Sequence, residues 1–383
     1  MSCHRALKEI KEKTDFTIAL AGNPNVGKSC VFNQLTGLSV VTANYPGKTV
    51  ELNVGVTVHD GLRIGIIDLP GTYALSAVSD DQWVARRGVL EGSPDVVVVV
   101  VDASNLQRNL YLVLQFLELG FPVVVDLNLI DYAAKVGLKI NYEKLSELLG
   151  APVVPTVAVR GEGIDELVHA VTSLAQGKLK AARPKITYGR DVETAVQMLE
   201  EAIRKNLQET PYNLPARALA FQLLEGDEEF IDLIKRGRRR KGKGWRWEEG
   251  RGRRRRRRRG QPDEEKILRL SDALALQIKE KYGEPASIRI ARERHGLAGT
   301  IADAVQTRVE QPVLLSEKLK HFTVAPHTGI PLMASVLLGV FAFIFYVGGL
   351  LSSLISNLWG SFVTPAVGGA VHFVVGNKTL ANV

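Results

Sequence analysis

The chain has 383 residues, 45% of them hydrophobic, which is room for two or three packed domains at roughly 150 residues each. Its two cysteines, Cys3 and Cys30, exclude a disulfide framework and fit a reducing compartment. The net charge of +8 does not point to nucleic acid, because sixteen Lys or Arg against two Glu between Lys235 and Arg259 account for more than all of it.

Residues 1–14 are charged and read as an N-terminal tail without the apolar run of a secretory signal, so the first domain is expected in the cytoplasm. From 15 to 177 short apolar runs alternate with helical patterns. Phe16–Ala21, Leu62–Ile67, Val96–Val101, Pro122–Leu127 and Pro152–Thr156 read as strands, several of them Val/Ile-rich without alternation, as in a parallel sheet covered on both faces. Two strand-like runs flank the turn signal Asp60-Gly61, which predicts a hairpin and one antiparallel edge. Helical patterns follow Lys28, Asn105, Tyr142 and Gly163. The fold class is therefore α/β, a doubly wound sheet.

Residues 178–310 read as a helical domain, with helices over 188–235 and 263–310 and helix starts at Asp191 and at Ser271-Asp272. It is interrupted by 236–260, whose run of seven arginines repels itself and predicts disorder. Residues 311–383 read as a membrane region. No Asp, Glu, Lys or Arg occurs from Thr328 to Asn377, and a transmembrane helix is expected over about 330–352. The Gly-rich stretch 356–376, with Pro365, reads either as a re-entrant piece or as a second span.

Gly22-Asn23-Pro24-Asn25-Val26-Gly27-Lys28-Ser29 follows the first strand and matches the phosphate-binding pattern G-x-x-x-x-G-K-[ST]. Its glycines let backbone N–H groups turn toward phosphates, Lys28 reaches the β- and γ-phosphates, and the Ser29 hydroxyl ligates Mg²⁺. The following helix aims its positive end at the same anions. Asp68-Leu69-Pro70-Gly71 ends a strand: Asp68 would hold Mg²⁺ through water and the Gly71 N–H would sense the γ-phosphate. Thr49 is placed to complete the Mg²⁺ shell.

Asn128-Leu129-Ile130-Asp131 chooses the base, since a carboxylate accepts two hydrogen bonds from guanine N1–H and its exocyclic amine, a pair that adenine does not offer. The series closes with Thr156-Val157-Ala158-Val159-Arg160-Gly161-Glu162-Gly163, a loop that contacts guanine by backbone. Four ordered motifs predict a GTPase with Lys28, Asn25, Thr49 and Gly71 as catalytic residues. Thr72 follows Gly71 where Ras-type enzymes carry a water-orienting glutamine. Another group must position water, or hydrolysis is slow. The side-chain carbonyl of Asn25 points to a monovalent cation in place of an arginine finger.

GNPNVGKS, NYPGKTVE (44–51), DLPGTYAL (68–75), VDASNLQRNLYLVLQFLELGFPVVV (101–125), NLID, GEGIDEL and LLSEKLKHFTVAPHTGIPL (314–332) together resemble the FeoB family of bacterial ferrous-iron transporters. The resemblance covers nearly the whole chain apart from the Arg tract. It implies a GTP-switched G domain, a helical domain that modulates nucleotide affinity, and an Fe²⁺ permease in the bacterial inner membrane with both domains on the cytoplasmic side. It also implies potassium-stimulated hydrolysis, with Asn25 a K⁺ ligand and the backbone of Gly47, Lys48 and Thr49 supplying further oxygens. GTP/GDP, Mg²⁺ and K⁺ are the implied cofactors. Fe²⁺, membrane lipid and the remaining permease segment or subunit are the implied partners, and self-association is left open.

Three residues depart from the family pattern. Lys48 replaces a small aliphatic residue and is expected to disturb the cation loop. Val157 replaces a serine and is expected to quicken nucleotide exchange. Asp126 puts a carboxylate in a buried strand, where it costs several kcal/mol or stays protonated. The family's multi-helix permease lies beyond this sequence, and one membrane helix cannot form an alternating-access transporter. The rest is expected as a separate polypeptide, or the sequence as a truncated product. The Arg tract reads either as an insertion or as a frameshifted stretch, and beside a bilayer it would bind anionic lipid at about 1 kcal/mol per residue. Two other readings are a soluble ribosome-assembly GTPase binding RNA through that tract, and a regulatory GTP-binding subunit that does not transport.

Overall fold

The computed structural model describes residues 3–36, 40–44, 51–76, 79–179, 186–236, 262–309, 319 and 322–367. They fall into two units, residues 1–309 and 310–383.

The first unit is built on a seven-stranded sheet of order β2-β3-β4-β1-β5-β6-β8. The parallel strands are β1 (Phe16–Gly22), β4 (Leu62–Asp68), β5 (Val96–Asp102), β6 (Val123–Asn128) and β8 (Val153–Pro155). Every residue of β1 and β6 is buried, which is why apolar residues point to both faces without alternation; Thr17, Asp126 and Asn128 are the buried polar exceptions. The expected hairpin is present: β3 (Glu51–His59) pairs antiparallel with β4. Asp60 and Gly61 take φ of 50° and 79°, the left-handed pair that a two-residue hairpin turn needs. The antiparallel edge is wider than expected by one strand, β2 (Val40–Asn44), which pairs with β3.

Helices cover both faces. Among those on one side, α2 (Lys28–Thr36) and α7 (Ile164–Ala175) pack on Ile18, Leu20, Val98, Val100 and Val124. The other face meets α1 (Cys3–Lys13), α3 (Asp80–Gly92), α4 (Leu106–Glu118) and α6 (Tyr142–Leu149) over Ala19, Ile67, Val97, Val99 and Val125. α6 is capped by Asn141, whose side chain accepts the Lys144 N–H at 2.9 Å, and it ends at Gly150 in the left-handed conformation. The short α5 (Ile130–Lys135) follows β6. Residues 1–14, expected as a tail, contain α1. Its Leu7 and Ile10, spaced i and i+3, are buried, and Gly65 is the residue that leaves room for Ile10.

The second core continues without a break into five more helices, α8 (Arg190–Asn206), α9 (Ala216–Leu224), α10 (Glu228–Arg236), α11 (Pro262–Tyr282) and α12 (Ala286–Val305). Asp191 lies in the first turn of α8, as expected. Ser271-Asp272 does not start a helix, because the apolar face Ile267, Leu274 and Ile278 carries straight through a buried Ser271. The break comes instead at Gly283 (φ 71°) and Pro285. After α12 the chain returns to the first domain as β9 (Gln306–Arg308), paired antiparallel with β7 (Leu138–Ile140) where a helix end was expected.

Two buried arginines join the domains. Arg86 of α3 forks onto Asp227 at 2.5 and 2.8 Å, and Arg294 of α12 forks onto Glu118 of α4 at 2.9 and 2.6 Å. Burial opposes the Arg294 charge, but the Glu118 and Glu225 carboxylates raise its pKa well above the ordinary value.

In the second unit α13 (Pro326–Leu358) continues through a π-turn to Val367. The most apolar 18-residue stretch of Pro326–Val367 has a mean hydropathy of 2.4, and no Asp, Glu, Lys or Arg interrupts the helix. The span expected over 330–352 lies inside this helix. Residues 356–367 prolong it, while 368–376 lie outside the described residues, as do the Arg tract from 237 to 260 and the loop holding Gly47, Lys48 and Thr49.

Candidate nucleotide-binding site

The strand order reverses at β1, and sheets of this kind bind ligands at such a switch point, outside the carboxyl ends of the strands. Each described motif sits at one of those ends: 22–29 after β1, 68–71 after β4, 128–131 after β6 and 157–159 after β8.

The loop after Gly22 turns through two left-handed residues, Asn25 (φ 66°) and Gly27 (φ 90°). A side chain at Gly27 is excluded twice, by that φ and because its Cβ would lie 2.3 Å from Asn128 Nδ2. Val26 is buried and anchors the loop, while Pro24 and Asn25 are exposed at its rim. Asn23 is buried and its Nδ2 donates to Arg108 O at 3.4 Å. Lys28 and Ser29 open α2, whose first-turn N–H groups have no partner within the helix. The Lys28 ammonium is ion-paired with the Asp68 carboxylate.

The 68–71 segment is laid directly on this loop. Leu69, fully buried, donates its N–H to Leu20 O, and Thr72 donates its N–H to Gly22 O, both at 3.0 Å. Pro70 is half-buried, and a Cβ on Gly71 would lie 3.3 Å from Pro24 Cα. Further on, Leu75 N–H donates to Gln115 Oε1 at 2.9 Å, which ties the segment to α4.

Asn128, 1% exposed, joins three motifs. Its Nδ2 donates to Val26 O at 3.0 Å, and its Oδ1 accepts the Ala158 N–H at 3.0 Å. Leu129 turns the chain out of β6 in the left-handed conformation (φ 63°), a strain of roughly 1–2 kcal/mol for a residue with a side chain. That turn sets Ile130 and Asp131 at the start of α5, on the rim. Asp131 Oδ2 accepts from Arg160 Nη1 at 3.3 Å. Val157 and Ala158 are buried, whereas Val159 is 74% exposed. Asp126 is fully buried, and burial pushes its pKa up to about 7 although the Thr156 hydroxyl hydrogen-bonds to it. The sequence singled out Asp126 and placed Thr156 and Arg160 in the base loop for their backbone, but gave no sign that their side chains, or Gln115, would take part.

Two family models match the chain: Ferrous iron transport protein B over residues 16–171 and the FeoB cytosolic helical domain over 188–307. The cytosolic domain of T. maritima FeoB in a GDP form superposes with a TM-score of 0.60 at 32% identity, covering 76% of this chain and 99% of that one. The chain belongs to the FeoB family.

A GDP-bound variant of S. thermophilus NFeoB gives a TM-score of 0.61 at 31% identity, over 76% of this chain and all of that one. Among curated FeoB relatives, the Fe(2+) transport protein A/FeoB fusion protein of Porphyromonas gingivalis is 36% identical over 94% of this chain. The Fe(2+) transporter FeoB of Salmonella typhimurium is 33% identical over 88%. The chain spans 42% and 40% of their respective lengths. Its first domain is thus a FeoB G domain with the GTPase fold, followed by the FeoB helical domain. Matches over both domains favour neither an RNA-binding assembly GTPase nor a free-standing regulatory subunit.

Proposed function

We propose that the chain binds guanine nucleotides, hydrolyses GTP slowly, and serves as the cytosolic control part of an Fe²⁺ permease in the bacterial inner membrane. The reading takes residues 15–177 as the G domain, 178–310 as the modulating helical domain and 311–383 as the start of the membrane region. The observation that carries it is the Asn128 amide. One side chain fastens the phosphate loop at Val26 to the base loop at Ala158, as a site must that holds both ends of a nucleotide.

The residues are assigned as follows. Asp131 accepts guanine N1–H and the 2-amine, and Val157, Ala158 and Val159 line the base by backbone. Gly22 to Gly27 offer N–H groups to the phosphates, and Lys28 leaves Asp68 to meet the β- and γ-phosphates. The Ser29 hydroxyl and Asp68 carboxylate form an all-oxygen donor set that suits a small hard cation, with Thr49 as the third donor. Mg²⁺ there neutralises charge on the phosphate oxygens. Asn25 offers its side-chain carbonyl to K⁺, with Gly47, Lys48 and Thr49 adding backbone oxygens. Gly71 N–H meets the γ-phosphate, and because it lies against Pro24 that contact moves the 68–76 segment with the phosphate loop. Water attacks the γ-phosphorus and the bond to the β–γ bridging oxygen breaks, giving GDP and phosphate. Thr72 supplies no amide to orient that water, so turnover is slow.

The state of the 68–76 segment passes to α4 through Gln115 and to α3, which follows it in the chain. Both helices are pinned to the helical domain by buried arginines. The proposal is tested by phosphate release from the full chain in KCl and in NaCl, with GTP and with ATP. It expects GTP hydrolysis, faster in KCl and abolished in Lys28→Ala, and ⁵⁵Fe uptake by the intact transporter that fails in the same variant. Equal hydrolysis of ATP and GTP would overturn it.

A further inference from the structure

Asp126 lies in β6 two residues before Asn128, fully buried, and its Oδ2 has no hydrogen-bond partner. Its Oδ1 accepts the Thr156 hydroxyl at 2.5 Å, and Thr156 Oγ1 lies 3.3 Å from Asn128 Oδ1. Thr156 is itself fully buried. The three side chains form one buried file that runs from the interior of the sheet to the amide joining the two nucleotide loops.

The single proton of the threonine hydroxyl decides what this file can do. An ionised carboxylate only accepts, so it takes that proton at Oδ1, and Thr156 then has none to offer Asn128. A protonated Asp126 is a donor. Its O–H goes to Thr156 Oγ1, and the threonine proton turns to Asn128 Oδ1. That oxygen then accepts from both Ala158 N–H and Thr156, which fixes the amide with Nδ2 aimed at Val26 O. We infer that Asp126 and Thr156 are positioning residues for Asn128, and that protonation of Asp126 tightens the grip on guanine nucleotide. The inference rests on the nucleotide reading above.

The surroundings leave this titration to Asp126 alone. β5 and β8 set Val100 and Val154 beside it in register. α7 turns Ile164, Leu167 and Val168 toward this face of the sheet and keeps Asp165, Glu166 and His169 exposed. On the adjoining loops Asp131 and Arg160 pair with one another. Burial without a counter-charge raises the Asp126 pKa to about 7, so both protonation states are populated near neutrality.

The test is the dissociation rate of N-methylanthraniloyl-GDP from the full chain in detergent, from about pH 5.5 to about pH 8.5. Rates are read as the ratio of wild type to Asp126→Asn, which cancels titration of the nucleotide's own phosphate. The asparagine amide donates to Thr156 at every pH. The ratio is expected to be one in acid and to rise to about fivefold in base, the factor for one net hydrogen bond. Its midpoint falls near pH 7. In a Thr156→Val background the ratio stays flat, and Thr156→Ser restores the profile. A flat ratio in the wild-type background, or a pH-dependent one with Thr156→Val, overturns the inference while the nucleotide reading stands. A wild type that binds no labelled GDP at any pH overturns that reading itself.

Discussion

Arg294 pins the helical domain to the G domain, and its removal should loosen both sides of that contact. The side chain is 2% exposed and meets Glu118, itself 5% exposed, through two hydrogen bonds at 2.9 and 2.6 Å. Nη2 also reaches Glu225 at 2.9 Å, and Nη1 donates to Tyr111 Oη at 3.1 Å. Arg294→Ala leaves Glu118 buried with the Tyr188 hydroxyl as its hydrogen-bond partner and Arg217 as the nearby positive charge, and orphaning one member of such a pair costs about 3–5 kcal/mol. At about 1.4 kcal/mol per decade that is roughly two to four decades in opening equilibrium. Amide hydrogen exchange reads it directly. Protection in α4 and α12 should fall by at least about a hundredfold while β1 and β5 keep theirs. Replacing both partners, Arg294→Met with Glu118→Leu, should recover most of the loss, because the more deeply buried carboxylate goes with its partner and the one that remains, Glu225, is 20% exposed. A single variant that changes protection in α4 and α12 by less than about tenfold would refute the reasoning.

Asp126 also sets a pH dependence of stability. Its native pKa near 7 exceeds the usual 3.8, so the folded chain holds a proton that the unfolded chain releases between those values. Stability therefore falls as pH rises through that window and levels off above it, by up to about 4 kcal/mol for this one group. Thermal melts at either end of the window should show the fall in wild type and its absence in Asp126→Asn. Gly27→Ala drives a methyl into Asn128 Nδ2 at a φ of 90°, and should lower GDP affinity by at least about tenfold while circular dichroism of the sheet is unchanged. Arg160→Ala removes a half-exposed partner of Asp131, and because solvent screens that pair GDP affinity should shift by no more than about twofold in calorimetry.

The sheet was legible because its strands are buried on both faces and so spell continuous apolar runs, as in Val96–Val101, and because Asp60-Gly61 announces its own turn. The nucleotide residues were legible because phosphate and base chemistry fixes residue type and spacing together. α1 was hidden because only Leu7 and Ile10 mark its buried face in a mostly polar stretch, although Gly65 opposite them is shaped to receive Ile10. Ser271 misled because a serine can fill a buried helical position as well as cap a helix. The β7–β9 pair was hidden because each strand is three residues long and their partnership spans the whole helical domain. The side-chain roles of Thr156 and Gln115 were missed for a related reason: a hydrogen bond between distant segments leaves no periodicity, and only the fold brings the Thr156 hydroxyl under Asn128.

The most direct measurement of the central claim is the base preference of the Asp131→Asn variant. Binding of GDP, ADP and xanthosine diphosphate to wild type and variant should be followed by calorimetry. If Asp131 reads guanine through N1–H and the 2-amine, wild type binds GDP alone. The variant should lose GDP by about a hundredfold or more, as two hydrogen bonds to a charged group disappear. It should gain xanthosine diphosphate, whose C2 carbonyl accepts from the new amide. Unchanged GDP affinity in the variant, or equal binding of ADP and GDP by wild type, would contradict the account.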